Sequence, residues 1–499
     1  MDGLLSELHQ CRLMVLFICV LCIGSPFQFG FHISVVSSPS KFVKAFTNQT
    51  VLQRYGSPAT DETLTLLWSL TVSIFSIGGL LGSMGSGSLI RRYGKCRCMR
   101  WNNVFTLGSS LITGFSRMSG SFEMTLVGRF LCGISTGVGM NVCLLYLGEI
   151  SPKKLRGLTN TICPIFGIIG KLSGLIFGLR EALGSESRWP LLMALSGVTA
   201  ILQLATFPFF PDTPTDLMMV KKDKEGCLKA MKKLWGDRDH QSEIEDLINE
   251  QNARKNTKVL SVLELILDRS LRRQLCILSF LMITLQFCGV NAIYFYAYDV
   301  FQQAGFPKDR IPYIAIGTGC CEMLGALTCC FLIEKVGRKA LLLTAFVVMG
   351  GALVLLTVTL AFQDTYHWLP YCSTVLVFCF ILFYGIGPAG VIISLSIEIL
   401  TQAARPSGFV LSSSLNWSAL YITGLIFPFM VKSMGHFCFL LFLGFILASS
   451  IFLCLFLPET KGKSVIEITE EFNQISCRRI CCRGAVENTP RELIMCTKF

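Results

Sequence analysis

The chain has 499 residues, of which 52% are hydrophobic and 15% charged, and its mean hydropathy of +0.58 leaves too little polar surface to cover several soluble cores. Soluble enzyme and disordered linker are both excluded on that ground. The net charge of +12, from 44 Lys and Arg against 32 Asp and Glu, is spread over loops instead of forming one stripe, which speaks for basic loops beside a membrane and against nucleic acid.

A helix needs about 20 apolar residues to cross a hydrocarbon core of about 30 Å. Twelve stretches meet that length, and they are numbered here as spans 1 to 12: 12–36, 64–90, 101–118, 122–148, 157–179, 189–210, 274–301, 311–333, 340–362, 371–400, 406–432 and 436–457. The first continues past Gly24 into Phe27 to Val36, so it reads as a span and not as a cleaved signal peptide. A loop near 37–63 follows, carrying the glycosylation sequon Asn48-Gln49-Thr50. A second match, Asn416-Trp417-Ser418, falls inside span 11, where no glycan could be attached. Between spans 6 and 7 the residues 212–273 turn polar, with Leu228, Met231 and Leu234, then Ile244, Leu247 and Ile248, at helical spacing. The predicted organisation is therefore an all-α membrane protein of twelve helices: a six-helix bundle over 1–211, a linker of short amphipathic helices over 212–273, a second six-helix bundle over 274–457, and a tail over 458–499. Lys and Arg collect in the loops after spans 2, 4, 8 and 10, which places those loops, the linker and both termini in the cytoplasm.

Most of the 23 cysteines lie in apolar runs, where they act as small hydrophobes, and the five histidines lack metal spacing. Neither a metal nor another cofactor is called for. Lys461-Gly462-Lys463-Ser464 looks like the end of a phosphate loop, but the required earlier glycine falls at Leu457, so no ATP site is expected. The expected partners are the lipid bilayer and a small-molecule substrate.

The two bundles repeat each other. Gly94 after span 2 matches Gly337 after span 8 (offset 243), Glu149 with Arg156 matches Glu398 with Arg405 (offset 249), and Pro211-Asp212-Thr213 matches Pro458-Glu459-Thr460 (offset 247). Duplicated halves around a central cavity are a common transporter design. Acidic residues at the ends of spans 4 and 10, beside basic loops after spans 2 and 8, suit an ion-pair gate that breaks on every cycle, since exposed pairs contribute only about 0–1 kcal/mol each.

Gly128-Arg129, Tyr146-x-x-Glu149-x-x-Pro152-x-x-x-Arg156-Gly157, Gln286-x-x-Gly289-Val290-Asn291-Ala292, Glu334-x-x-Gly337-Arg338-Lys339, Asn416-Trp417 and Pro458-Glu459-Thr460-Lys461-Gly462 together resemble the sugar-porter branch of the major facilitator superfamily, over nearly all of 12–465. Within it they resemble the facilitative glucose and fructose transporters. Phe122-Glu123-Met124 and Gly387-Pro388-Ala389-Gly390 are most similar to the fructose-associated class. The resemblance implies facilitative hexose transport by alternating access, at the plasma membrane, with a cytoplasmic gate of Arg129, Glu149, Arg156, Glu334, Arg338, Lys339, Glu398 and Arg405. Gly94-Lys95-Cys96 and Pro211-Asp212-Thr213-Pro214-Thr215 depart from the family pattern by two cations, so the N-terminal half of the gate is expected to be the looser one.

A neutral sugar needs amides that both donate and accept, and an aromatic face for its ring. Gln286 and Asn291 in span 7, with Asn416 and Trp417 in span 11, supply these at positions that resemble the family's sugar site. Ile393 stands where glucose-specific relatives carry tryptophan, and Pro164 where a glutamine is common. Gly and Pro within span 10 offer a hinge. His32 occupies the position of an aspartate in proton-coupled relatives and of an asparagine in facilitative ones. Lys171 in span 5 is a mid-membrane charge that costs about 2.5–3.5 kcal/mol unless wetted or paired, and Glu322 in span 8 is its candidate partner. Two readings of Lys171 stay open: attraction of an anionic substrate such as a carboxylate or urate, and pairing for structure. An organic-anion or proton-linked carrier and a non-transporting substrate sensor are the alternatives to hexose transport.

Overall fold

The computed structural model describes residues 11–472 apart from 152–155, 211, 220–221, 237–240, 242–243, 246–247, 249–260, 269–270, 304, 308, 364, 401–403, 464–466 and 469, and it leaves out some further side chains, among them that of Arg156. The described residues build spans 1 (Arg12–Ile23 and Pro26–Ser34), 2 (Asp61–Tyr93), 3 (Lys95–Phe115), 4 (Phe122–Ile150), 5 (Arg156–Phe177) and 6 (Trp189–Ala194 and Ser196–Thr206) in the N-terminal half. The C-terminal half holds spans 7 (Arg272–Phe287, Val290–Phe295 and Ala297–Gln303), 8 (Ile311–Val336), 9 (Arg338–Ala361), 10 (Leu369–Tyr384 and Gly390–Ile399), 11 (Arg405–Met434) and 12 (Cys438–Phe456). By length and composition alone, 9 described stretches could cross a membrane. They become twelve helices because Ser407–Phe456 is two helices parted at Gly435, because the more polar span 3 falls outside that criterion, and because span 5 contributes only the shorter apolar stretch Ile162–Phe177.

Inside each half, small residues let helix backbones touch. A Cβ on Gly133 would meet the Phe75 carbonyl oxygen at 2.1 Å and one on Gly137 the Gly79 carbonyl at 2.2 Å, so span 4 rides directly on span 2. Span 8 meets span 10 the same way, a Cβ on Gly325 lying 2.3 Å from the Leu382 carbonyl. In hydrocarbon, where apolar burial drives no association, such dispersion contact is what holds helices together.

Four of the described spans are broken, span 6 at Leu195 among them. Span 1 bends at Gly24-Ser25-Pro26. Span 7 breaks at Gly289, whose φ of +95° suits glycine and whose added Cβ would lie 2.6 Å from the Phe442 ring. Span 10 passes through a π-helical turn at Gly385–Ala389 around Pro388, which has no N–H to give.

The loop near 37–63 holds a helix, Ser40–Tyr55, stopped by Gly56 at φ +71°. Asn48 lies on it, with its Oδ1 accepting from the Ala59 N–H at 2.9 Å. This end of the bundle is called the loop-helix face, and the opposite end, with the loops after spans 2 and 8, the basic face. Under the basic face the linker helix Lys224–Trp235 buries Cys227, Ala230, Met231 and Leu234, one stripe at helical spacing, and the Trp235 indole donates to the Ile150 carbonyl at 2.8 Å. Ile244 is buried too, Leu228 and Ile248 pack against the same cluster, and Leu247 lies outside the described residues.

Gly133→Ala therefore forces spans 2 and 4 apart and lowers the melting temperature in detergent by several degrees. Gly108→Ala in span 3, with nothing within 4 Å of its added Cβ, is neutral or stabilises slightly. Equal melting temperatures for the two variants would contradict the close approach.

Candidate substrate site

Gln286 ends the first segment of span 7, and the break at Gly289 swings Asn291 back beside it. Asn291 Nδ2 donates to Gln286 Oε1 at 2.6 Å, and Gln286 Nε2 donates to Asn416 Oδ1 of span 11 at 2.6 Å. Asn291 and Gln286 are buried, and Asn291 Oδ1 has no protein partner. The next residue of span 11, Trp417, is 2% exposed, lies edge-on to Phe29 and Phe75 of the other half, and rests on Gly79, where a Cβ would meet its ring at 2.3 Å. The amides and the indole thus lie where the halves meet, close to a second contact between spans 2 and 11, Ser83 Oγ to Ser413 Oγ at 2.7 Å. Ile393 is half-buried on the second segment of span 10.

Lys171 is neither wet nor alone. Its Nζ lies 2.8 and 3.1 Å from the two oxygens of Glu322, a buried ion pair joining span 5 to span 8 across the halves. The rings of Tyr294 and Tyr384 face the ammonium at 4.5 and 5.7 Å. Neither tyrosine was singled out in the sequence, since an aromatic in an apolar span carries no distinguishing signal. His32 departs from its expected place at the substrate. Its Nε2 meets Cys132 Sγ at 2.8 Å and its ring packs on Phe75, so the imidazole is turned into the interior of the N-terminal half.

Arg129 does not belong to a basic-face gate. It sits seven residues into span 4 from the loop-helix end, roughly 30 Å along the helix from Glu149 at 1.5 Å per residue. There its guanidinium donates to the carbonyls of Thr71 at 2.6 Å, Val72 at 3.1 Å and His32 at 3.5 Å, tying span 4 to spans 1 and 2.

The basic face carries two matching clusters. In the N-terminal half Lys95 Nζ bridges Glu149 at 2.6 Å and Asp216 at 2.8 Å, and Thr213 Oγ1 donates to Glu149 at 3.1 Å. In the C-terminal half Arg338 pairs with Glu398 at 2.9 Å and Glu334 at 2.8 Å, and Thr460 Oγ1 donates to Glu398 at 2.7 Å. Gly94 (φ +77°) and Gly337 (φ +99°) turn the chain identically ahead of the two cations. Lys95 takes the place of Arg338, and with Asp216 beside Glu149 each described cluster holds two ion pairs. Thr213 and Thr460 were missed, although each follows the acidic residue of the repeated Pro-acid-Thr motif. The Lys339 side chain donates to the Cys454 carbonyl at 3.0 Å instead of joining an acid, Arg405 donates to the Leu400 carbonyl at 3.3 Å, and the side chain of Arg156 lies outside the described residues. Glu459 caps span 9, accepting from the N–H groups of Arg338 at 2.8 Å and Lys339 at 3.0 Å. Burial pushes its carboxyl up, but the N–H groups of Arg338, Lys461, Lys339 and Ala340 outweigh this and leave it below the ordinary range. That contact stabilises the fold at neutral pH and is lost as pH falls through the depressed value.

On the loop-helix face three pairs cross between halves, Lys44 with Asp299 at 3.7 Å, Arg180 with Asp309 at 3.2 Å, and the Tyr313 hydroxyl with Glu181 at 2.8 Å, while Arg54 with Glu123 stays within the N-terminal half. The Lys95 cluster joins the N-terminal half to the linker and the Arg338 cluster the C-terminal half to the tail, and neither reaches the opposite half.

The Sugar (and other) transporter family matches residues 17–472. The chain belongs to that family. This transporter is 40% identical over 475 residues to solute carrier family 2, facilitated glucose transporter member 11, of Homo sapiens (95% of this chain, 96% of the relative), and 39% identical over 471 residues to member 5 of Ovis aries (94% of each). The transporter also superposes on the inward-open xylose transporter of E. coli with a TM-score of 0.75 at 19% identity, covering 92% of this chain and 99% of that one. That likeness fixes the fold as the major facilitator arrangement of two six-helix halves, and the transporter is an integral membrane protein and not an enzyme.

Lys95→Ala leaves Glu149 and Asp216 without their cation. Because the acids keep 17% and 27% side-chain exposure, the expected loss is roughly 1–3 kcal/mol, below the ~3–5 kcal/mol of a fully buried pair. Thermal melts in detergent read it, with Lys95→Arg close to wild type. A Lys95→Ala melt identical to wild type would remove the cluster from the account.

Proposed function

We propose that this transporter carries a neutral hexose, fructose or glucose, down its gradient by alternating access, with Gln286, Asn291, Asn416, Trp417 and Ile393 as its substrate contacts. The observation that carries the reading is the chain of amides from Asn291 through Gln286 to Asn416, lying beside Trp417 between the halves. Each of these amides donates to or accepts from another in the chain, and a sugar hydroxyl, which both donates and accepts, can replace either bond at little net cost. Relatives named as facilitated glucose transporters support the substrate class.

The basic face is assigned to the cytoplasm and the loop-helix face to the outside of the plasma membrane, with both termini cytoplasmic and Asn48 as the glycan site. The inter-half pairs Lys44–Asp299 and Arg180–Asp309 then close the outer side, an inward-facing arrangement. The organic-anion reading loses ground because Lys171, its one attraction, is already held by Glu322.

Radiolabelled fructose, glucose and urate uptake into one expressing cell line tests the reading, with hexose taken up in preference to urate. Asn416→Ala raises the hexose KM by about tenfold, the equivalent of one to two hydrogen bonds. Urate uptake exceeding both hexoses, or an unchanged KM in Asn416→Ala, overturns it.

A further inference from the structure

We infer that Glu322 is a specificity-determining residue: by cancelling the charge of Lys171 across the two halves, it keeps the central site receptive to neutral polyols and closed to organic anions. The inference rests on the hexose reading and deepens it.

Lys171 is 5% and Glu322 2% exposed, and one ammonium meets both carboxylate oxygens, so the pair is desolvated and its two charges sum to zero. It adjoins the amide chain: Tyr294, whose ring covers the ammonium, follows Asn291 by three residues, one helical turn, on the same short segment of span 7. A substrate seated on Gln286 and Asn291 is therefore separated from the pair by about one helical turn and the Tyr294 ring, in a medium of low dielectric where a net charge acts strongly. An anion gains nothing from Lys171 unless it displaces Glu322, and it meets the carboxylate's repulsion on the way. A cation meets the mirror of that problem with Lys171. A neutral sugar meets neither. Selection works here by an unfavourable term against the wrong ligand, not by a better contact to the right one. The charge also belongs to the pair and not to either half, since span 5 brings one member and span 8 the other.

The test is uptake of labelled glucose, fructose, gluconate and glucosamine by wild type, Glu322→Gln, Lys171→Gln, the double Lys171→Gln/Glu322→Gln and the charge swap Lys171→Glu/Glu322→Lys, at matched amounts of protein in the membrane. Glu322→Gln uncovers the ammonium, and its gluconate uptake rises about tenfold or more over wild type, a typical size for one unbalanced charge. Lys171→Gln uncovers the carboxylate and raises glucosamine uptake, which supplies the mirror arm if a lone buried lysine prevents Glu322→Gln from folding. The double neutral variant and the charge swap return the ratio of charged to neutral substrate to that of wild type. Gluconate uptake within about twofold of wild type in Glu322→Gln overturns the inference, as does a charge swap that behaves like Glu322→Gln. Absence of wild-type hexose uptake counts against the hexose reading itself, while the variant-to-wild-type comparison of gluconate still reads the charge balance.

Discussion

Hydrocarbon does not tolerate an unpaired charge, and the architecture of this chain follows from where its buried charges find partners. Arg129 gives its Nε and Nη2 to three backbone carbonyls from spans 1 and 2, Lys95 meets Glu149 of its own half and Asp216 of the linker, and Arg338 meets two carboxylates of its own half. None of these contacts reaches the opposite half. Lys171 differs, because its carboxylate comes from the opposite half. Charges that knit a half together make it a rigid body, and a charge shared between halves makes their relative position an electrostatic variable.

The same division appears in the packing. Glycine-mediated backbone contacts such as Gly133 on Phe75 and Gly325 on Leu382 lie within a half and leave no slack for bending. Contacts between halves are of another kind: a serine pair, an indole resting on a glycine, exposed ion pairs, and the buried Lys171–Glu322 pair. All but the buried pair can break and re-form at modest cost. The helix breaks at Gly289 and at Gly385–Ala389 fall in spans 7 and 10, so the C-terminal half carries the flexible joints nearest to the site.

Much of this was legible in the sequence, for identifiable reasons. Span count follows from hydropathy, and the duplicated Gly, Glu and Pro-acid-Thr landmarks mark the repeat because each has a local geometric duty that both halves must meet. What was misread needed three-dimensional register. Arg129 belongs to a motif that travels with the basic-face residues, yet its depth along span 4 removes it from that face. His32 sits at a position tied to substrate or proton in relatives, and only the rotation of span 1 turns it toward Cys132. The helix Ser40–Tyr55 escaped because a polar helix outside the membrane leaves no trace in a search for apolar runs. The partnership of Lys171 with Glu322 was one of two open readings, and a separation of 151 positions along the chain gave no means of choosing.

The central claim is that two rigid halves rock about a sheltered polar middle, closing one face as the other opens. Spin-label distances between the halves, with one pair of labels at Glu186 and Arg310 on the loop-helix face and another at Arg97 and Lys335 on the basic face, test it most directly when measured with and without hexose. The account predicts opposite changes, one distance lengthening as the other shortens. Distances that change in the same sense at both faces, or that ignore saturating sugar, would contradict it.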